Sequence, residues 1–317
     1  MQANNCTAVN ELVIVGFQNL HEFRIPFFCF LLLTYFVTYL ENALLIILVI
    51  TSVSLQTPKY VLLSLLSLCE ILYVTNLIPK MLHDIIVEGG IITLFGCIAQ
   101  LNIFGTLGSV ECLLFALMSY DRYVAICKPL RYSALINNWL CLYLGIAFWI
   151  MSFMFVLIVS ILLGRLEYCG SNIINHFYCD YGPLLALSHS DIQLTILMTT
   201  VISALLTLLP FILIILSYTC ILYTIIKIQS SIGRQKAFST CSSHLLVVTI
   251  YYGTLTSIYI IPSGANSTHI NKGLSWSKVI SLLYIIVIPM LNPLIYSLRN
   301  STIKNAIKRL IHFNKTS

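Results

Sequence analysis

Seven long apolar runs constrain this chain more than any other feature. They cover residues 25–50, 60–86, 95–127, 139–163, 194–228, 237–261 and 274–298. A helix that crosses a bilayer needs about 20 such residues. Lipid offers no hydrogen bonds, so only helices or closed barrels can span it. Barrel strands would alternate in segments of about ten residues, and these runs do not alternate. Charged residues make up 9% of the chain, against 59% hydrophobic, with a mean hydropathy of +0.94. Soluble domains carry roughly 25% charged residues, so this chain lacks the polar surface to cover a globule. The expected class is an all-α membrane protein: a seven-transmembrane helix bundle with a short amphipathic C-terminal helix. Residues 1–24 read as an extracellular tail, 25–298 as the bundle, and 299–317 as a cytoplasmic helix and tail. Residues 1–16 lack the basic start and short apolar core of a cleavable signal, so the first helix is expected to serve as the insertion signal. Neither a second soluble domain nor a solenoid repeat is evident.

Orientation follows from lysine and arginine. One set of helix ends holds twelve of the seventeen: Lys59, Arg122, Lys128, Arg131, Lys227, Arg234, Lys236, Arg299, Lys304, Lys308, Arg309 and Lys315. The other holds Arg24, Lys80, Arg165, Lys272 and Lys278. The positive-inside rule makes the richer set cytoplasmic, with the N-terminus outside and the C-terminus inside. Topology thus accounts for the net charge of +6, and no nucleic-acid partner is implied. Four of the eleven cysteines, Cys6, Cys97, Cys169 and Cys179, fall on the outer, oxidising side, where disulfides persist. Asn5-Cys6-Thr7 is the preferred glycosylation sequon, ahead of Asn266-Ser267-Thr268.

Several polar residues stand where they are costly. Asp121-Arg122 ends the third run. It reads either as a snorkelling helix end or as an ion pair whose release makes a two-state element. Glu70 and Glu111 each lie eleven residues, about 16 Å, from the basic end of their helices, and Glu41 beside Asn42 is at comparable depth. Acids at mid-bilayer face a protein interior or a wet cavity, as an ion or proton site or as polar glue between helices. Pro289 and Pro293 interrupt the seventh run, with Asn292 between them and Tyr296 beyond. Proline removes a helical hydrogen bond, so a hinge is expected there, with Asn292 meeting freed carbonyls or the acids. After Arg299, Ile303, Ile307, Leu310 and Ile311 share one helix face while Lys304 and Lys308 lie on another, the pattern of a helix lying on the membrane surface.

These stretches resemble vertebrate olfactory (odorant) receptors, a branch of the rhodopsin-like G-protein-coupled receptors. The resemblance rests on MSYDRYVAICKPLRY, LQTPKYVLLSLLSLCEILY, SYTCILYTIIKIQSSIGRQKAFSTCSSHL, PMLNPLIYSLRN and CGSNIINHFYCD, and runs from about residue 17 to 311. It implies a plasma-membrane receptor whose partners are a small odorant, a heterotrimeric G protein of the stimulatory olfactory type, and membrane lipid. No cofactor or metal is implied. Arg122 would contact the G protein, with Asp121 as its resting partner, Tyr123 beside it, and Tyr218 and Tyr296 as switch tyrosines. Asn42, Glu70, Glu111 and Asn292 would form a polar cluster, and Cys97 would pair with Cys179. An odorant pocket would be lined by Phe104, Gly105, Gly108, Ser109, Cys112, Ile202, Ser203, Leu206, Leu255, Thr256 and Tyr259. Those side chains are mostly apolar with a few hydroxyls, as ligand sites generally are. No acid lies between Phe104 and Ser109, so the expected ligands are small, neutral and apolar.

The chain departs from the family pattern in places. Glu41 stands where glycine is more frequent, and Lys59 where methionine is usual. His189 occupies the place of a loop cysteine, so Cys169 is expected to be a free thiol or to pair unusually. His189, His176 and Cys169 are too scattered to assign a metal. A transporter or channel using the intramembrane carboxylates is the alternative class, and it would need paired broken helices. Patterns for a zinc protease, a nucleophile elbow or a phosphate loop are absent, which excludes the enzyme reading.

Overall fold

The computed structural model describes residues 9–16, 21–260, 270–298 and 301–316. Some side chains near the ends of those stretches, Tyr259 among them, lie outside the described set, as do Cys6 and both predicted outer sequons, at Asn5 and Asn266. The helices are α1 (Arg24–Thr51), α2 (Pro58–Ile86), α3 (Leu94–Cys127), α4 (Tyr132–Leu135), α5 (Asn138–Gly164), α6 (Tyr181–Leu185), α7 (Gln193–Ser203), α8 (Leu209–Ile226), α9 (Ser231–Ile260), α10 (Ile270–Leu298) and α11 (Ser301–Thr316). A π-turn at Ala204–Leu208 joins α7 to α8. Among the described residues, six helical segments are long and apolar enough to cross a membrane: α1, α2, α3, α5, the α7–α8 unit and the 278–296 portion of α10. The remaining run lies in α9, whose Ser239-Thr-Cys-Ser-Ser-His244 stretch makes it less apolar than the rest.

Local chemistry sets the ends. Pro58 opens α2 just after the extended Thr57, the first-turn position where a missing N–H costs nothing. Thr93 caps α3 by accepting from the Gly96 amide at 3.1 Å, and Asn137 caps α5 by accepting from Leu140 at 2.8 Å. At the far end of α2, Arg24 donates to the Ile85 carbonyl (2.6 Å) and to that of Ile86, and pairs with Glu88. A cation there satisfies carbonyls that the helix leaves open. Glu88 (φ 60°) and Gly89 (φ 136°) then turn the chain through the left-handed region into a strand.

That strand corrects the all-α expectation. Gly90–Thr93 (β2) pairs antiparallel with Glu11–Ile14 (β1), which pairs in parallel with Ile173–Ile174 (β3), giving the order β2-β1-β3. The tail is therefore not wholly unstructured. In Glu-Leu-Val-Ile, Leu12 and Ile14 alternate inward and are fully buried, the period-2 signature of a half-buried strand. They pack with Cys97, Cys179, Leu163, Tyr168, Ile174 and Leu184 in a small core at this end of the bundle. The larger core runs the length of the bundle around α3, with Leu107, Val110, Leu114 and Phe115 all buried. On α11, Ile303 and Ala306 are buried while Lys304, Lys308 and Arg309 are exposed; the Leu310 and Ile311 side chains of the predicted apolar face lie outside the described set.

Candidate functional site

The centre of the bundle is aromatic. Phe104, Gly108, Cys112 and Phe115 follow one another at three- and four-residue spacing along α3. Opposite Gly108 the Tyr284 hydroxyl of α10 donates to the Tyr251 hydroxyl of α9 (3.0 Å), which donates in turn to the Gly108 carbonyl (3.1 Å). A Cβ at Gly108 would sit 3.6 and 3.8 Å from the Tyr284 and Tyr251 hydroxyls, in ordinary van der Waals contact. Cys112 Sγ completes the group, 3.6 Å from the Tyr251 hydroxyl. Rings surround it: Tyr251 packs edge-on against Phe115 at 5.0 Å, and Phe104 lies 5.2 Å from Tyr73 and 5.4 Å from Tyr178. Tyr252 stacks near Phe211 at 4.5 Å and donates to the Thr207 carbonyl inside the π-turn, where the helical bonding pattern is already broken.

The predicted pocket residues divide around this core. Phe104, Gly108 and Cys112 face it; Ile202 and Leu206 are buried, and Leu255 is half-buried. Gly105 instead faces Val156 of α5, 3.1 Å from where its Cβ would be, and Ser109 donates back to the Gly105 carbonyl. Ser203 and Thr256 are exposed, with the Thr256 hydroxyl on its own helix's Tyr252 carbonyl. Sequence reasoning missed Tyr73, Tyr178, Tyr251, Tyr252 and Tyr284. Tyr251 and Tyr252 lie one turn before the predicted Leu255 on the same helix, so helical spacing alone points to them.

The polar cluster assembles by exchange of partners. Pro293 has no N–H to give the Pro289 carbonyl four residues back, and Asn42 of α1 donates to that carbonyl instead, at 3.3 Å. Asn292 donates to Glu70, and the Glu70 and Glu111 carboxylates are close enough to interact. Glu70, Glu111, Asn42 and Asn292 are all buried, and Glu70 Oε2, Glu111 Oε1 and Asn42 Oδ1 have no partner. Such orphan atoms inside a membrane are expensive.

At the end of α3, Asp121 is 1% exposed yet fully engaged. One carboxylate oxygen accepts from both Nε (2.9 Å) and Nη2 of Arg122; the other accepts from Tyr132 of α4 at 2.7 Å. Burial, then the Asp121 carboxylate, pushes the Tyr132 phenol well above its ordinary range, so it stays a donor. Tyr123 lies 5.5 Å beneath the Lys128 ammonium. Tyr218 binds His244 Nδ1 of α9 at 2.6 Å, while the buried Tyr296 hydroxyl has no partner. The partnership with His244 was not legible in sequence.

The opposite end carries a roof. Cys97 and Cys179 form the disulfide that the resemblance implied, and the Cys179 amide donates to Gln100 Oε1 at 3.1 Å. Cys169 is disulfide-bonded as well, so the free-thiol option falls. Lys278 ties the roof to the tail through the Gly16 carbonyl (2.7 Å) and Asn175 (2.8 Å). His176 is 3% exposed, packed 4.5 Å from both Phe177 and Tyr178, and neither ring nitrogen has a partner. Burial, with help from the Lys278 charge, lowers its imidazole to about 3. Cys169, His176 and His189 form no group able to hold a metal.

Comparison with known proteins places this geometry in context. A family model described as "Olfactory receptor" matches residues 28–314. Olfactory receptor 5P68 of Mus musculus is 43% identical over 305 residues, covering 96% of this chain and 95% of the relative. Olfactory receptor 10A7 of Homo sapiens is 40% identical over 311 residues, covering 98% and 96%. Olfactory receptor 8U9 of Mus musculus is 43% identical over 307 residues, covering 97% and 96%.

Proposed function

The chain belongs to the olfactory receptor family, and on that premise we propose that it binds small, neutral, mostly apolar odorants within the bundle and activates a stimulatory olfactory-type G protein. In this reading α9 is a seventh span. The sheet and disulfide lie outside the plasma membrane, and Asp121 and α11 lie at its cytoplasmic face.

One observation carries the proposal: Arg122 is held by an acid that a third residue, Tyr132, also holds. A lone snorkelling arginine needs no such arrangement. A pair with two partners can be released as a unit, which is what a switch requires. The ligand supplies free energy only through its differential affinity for the two arrangements. The aromatic core supports an apolar ligand site, because the predicted Phe104, Gly108 and Cys112 join it and rings make up most of its surface. The polar cluster meets α3 at Glu111, within the span of that core, and its unpartnered oxygens support a role in relaying the change toward Arg122. The glycosylation role of Asn5 and the domain boundaries at 24 and 298 belong to the same reading.

The test is a cyclic AMP assay with an olfactory G protein and an odorant panel. Arg122→Ala abolishes every response while surface expression is retained. An unchanged response in that variant overturns the coupling assignment.

A further inference from the structure

Release of Arg122 leaves Asp121 with an unmet charge. Asp121 is buried, and of the eleven acids in the chain it alone stands at the lysine- and arginine-rich end. It accepts two hydrogen bonds from Arg122 and one from Tyr132. When Arg122 leaves, the carboxylate keeps only a neutral phenol. Stripping a buried charge of its counter-ion is strongly unfavourable, and that cost alone holds the pair shut.

A second cation stands beside the pair. Lys59 lies in the first turn of α2, and α2 packs against both α3 and α5. The turn before it is tied to the start of α5, where Asn138 donates to the Gln56 carbonyl at 2.9 Å. Lys59 is half-buried, and the charges of Asp121 and Arg122 both reach it. Among the described residues its ammonium makes no hydrogen bond or ion pair, and it rests 5.4 Å from the centre of the Tyr60 ring. Lys128 and Arg131, the neighbouring cations of the inner loop, are exposed instead. A flexible four-carbon stem lets the Lys59 ammonium move without the backbone.

We propose that Lys59 is a positioning residue of the switch: it takes over the Asp121 carboxylate when Arg122 leaves, and so lowers the cost of the released arrangement. While Arg122 is still in place the two cations repel, which favours release further. The consequence for signalling rests on the reading that freed Arg122 engages the G protein; the exchange of cations does not. An uncharged side chain in place of Lys59 therefore lowers basal signalling.

Two experiments on the full-length receptor separate the exchange from its consequence. In the first, lysines of the purified receptor carry isotope-labelled methyl groups, which keep the charge, and are read by NMR; the Lys59 signal is the one missing from Lys59→Arg. Arg122→Ala shifts that signal, and adding Asp121→Asn to the same chain returns it to the wild-type position. In the second, basal cyclic AMP is measured per receptor at the cell surface. Lys59→Met, which matches the stem without the charge, lowers it about fivefold, the upper end for an ion pair short of full burial, and Lys59→Arg keeps the wild-type level. An unmoved Lys59 signal in Arg122→Ala overturns the exchange whether or not the receptor couples. Basal signalling of Lys59→Met at or above wild type overturns the role in the switch, as does a Lys59→Arg variant as weak as Lys59→Met. If the signal shifts while Arg122→Ala still answers odorants, the exchange stands and the coupling reading is the one that fails.

Discussion

Removing one hydroxyl tests the central packing most sharply. In Tyr251→Phe the ring contacts with Phe115, Tyr252 and Tyr284 at 5.0 to 5.6 Å are kept. The hydroxyl's bonds to the Gly108 carbonyl and from Tyr284 are lost. A buried hydrogen bond contributes about 1 kcal/mol net, so this variant loses about 2 kcal/mol. Tyr284→Phe removes the shared bond and loses about 1 kcal/mol. Because that bond is counted in both single variants, the double variant is expected to lose about 2 kcal/mol, not 3. The coupling of about 1 kcal/mol lies within the range seen for touching residues. At roughly 2 °C per kcal/mol for a chain of this size, the three variants melt about 4, 2 and 4 °C below wild type. A thiol-probe thermal assay on purified receptor in detergent resolves these differences. Strict additivity, with the double variant near 6 °C, refutes the hydroxyl chain. So does a Tyr251→Phe variant that melts like wild type.

Three other outcomes follow from the same geometry. The Cys97–Cys179 bond closes a loop of 82 residues, worth about 4.5 kcal/mol by loop entropy. Cys97→Ser, Cys179→Ser and the double variant should therefore all lose surface expression alike, and wild-type surface labelling of the double variant would contradict this. A Cβ at Gly90 would stand 2.1 Å from the Asp84 carboxylate, which is paired with Lys80, whereas Gly253 has open space. Gly90→Ala should cost about 1–3 kcal/mol and Gly253→Ala gain about 0.5–1 kcal/mol in thermal assays; the reverse order would refute the packing. Between pH 6.5 and about 3 the unfolded chain takes up a proton that buried His176 refuses. Stability is full above pH 6.5 and falls by up to about 1.4 kcal/mol for each unit below it. His176→Gln should flatten the decline in melting temperature between pH 7 and 5, and an unchanged slope would sink the assignment.

The sequence by itself determined what length, hydropathy and local chemistry govern. Six of the seven helical runs were placed within four residues, and the sixth began six residues late, because in lipid a backbone must satisfy its own hydrogen bonds and apolar runs leave only one way to do so. The buried Ile303 and exposed Lys304 and Lys308 of α11 were legible for the same local reason, and cysteine location with family wording gave the Cys97–Cys179 pair. The strand at Glu11–Ile14 was overlooked because four alternating residues are a faint signal until two partners from distant loops lie beside them. Tertiary structure alone decided the partners. Asn42 rather than Asn292 reaches the carbonyl freed by Pro293, Tyr218 binds His244, and Tyr132 shares Asp121 with Arg122. Gly105 and Gly108, three residues apart on one helix, face different neighbours. Helical periodicity fixes which residues share a face, but which helix meets that face depends on packing across 11 to 247 positions of sequence, beyond the reach of rules within one helix.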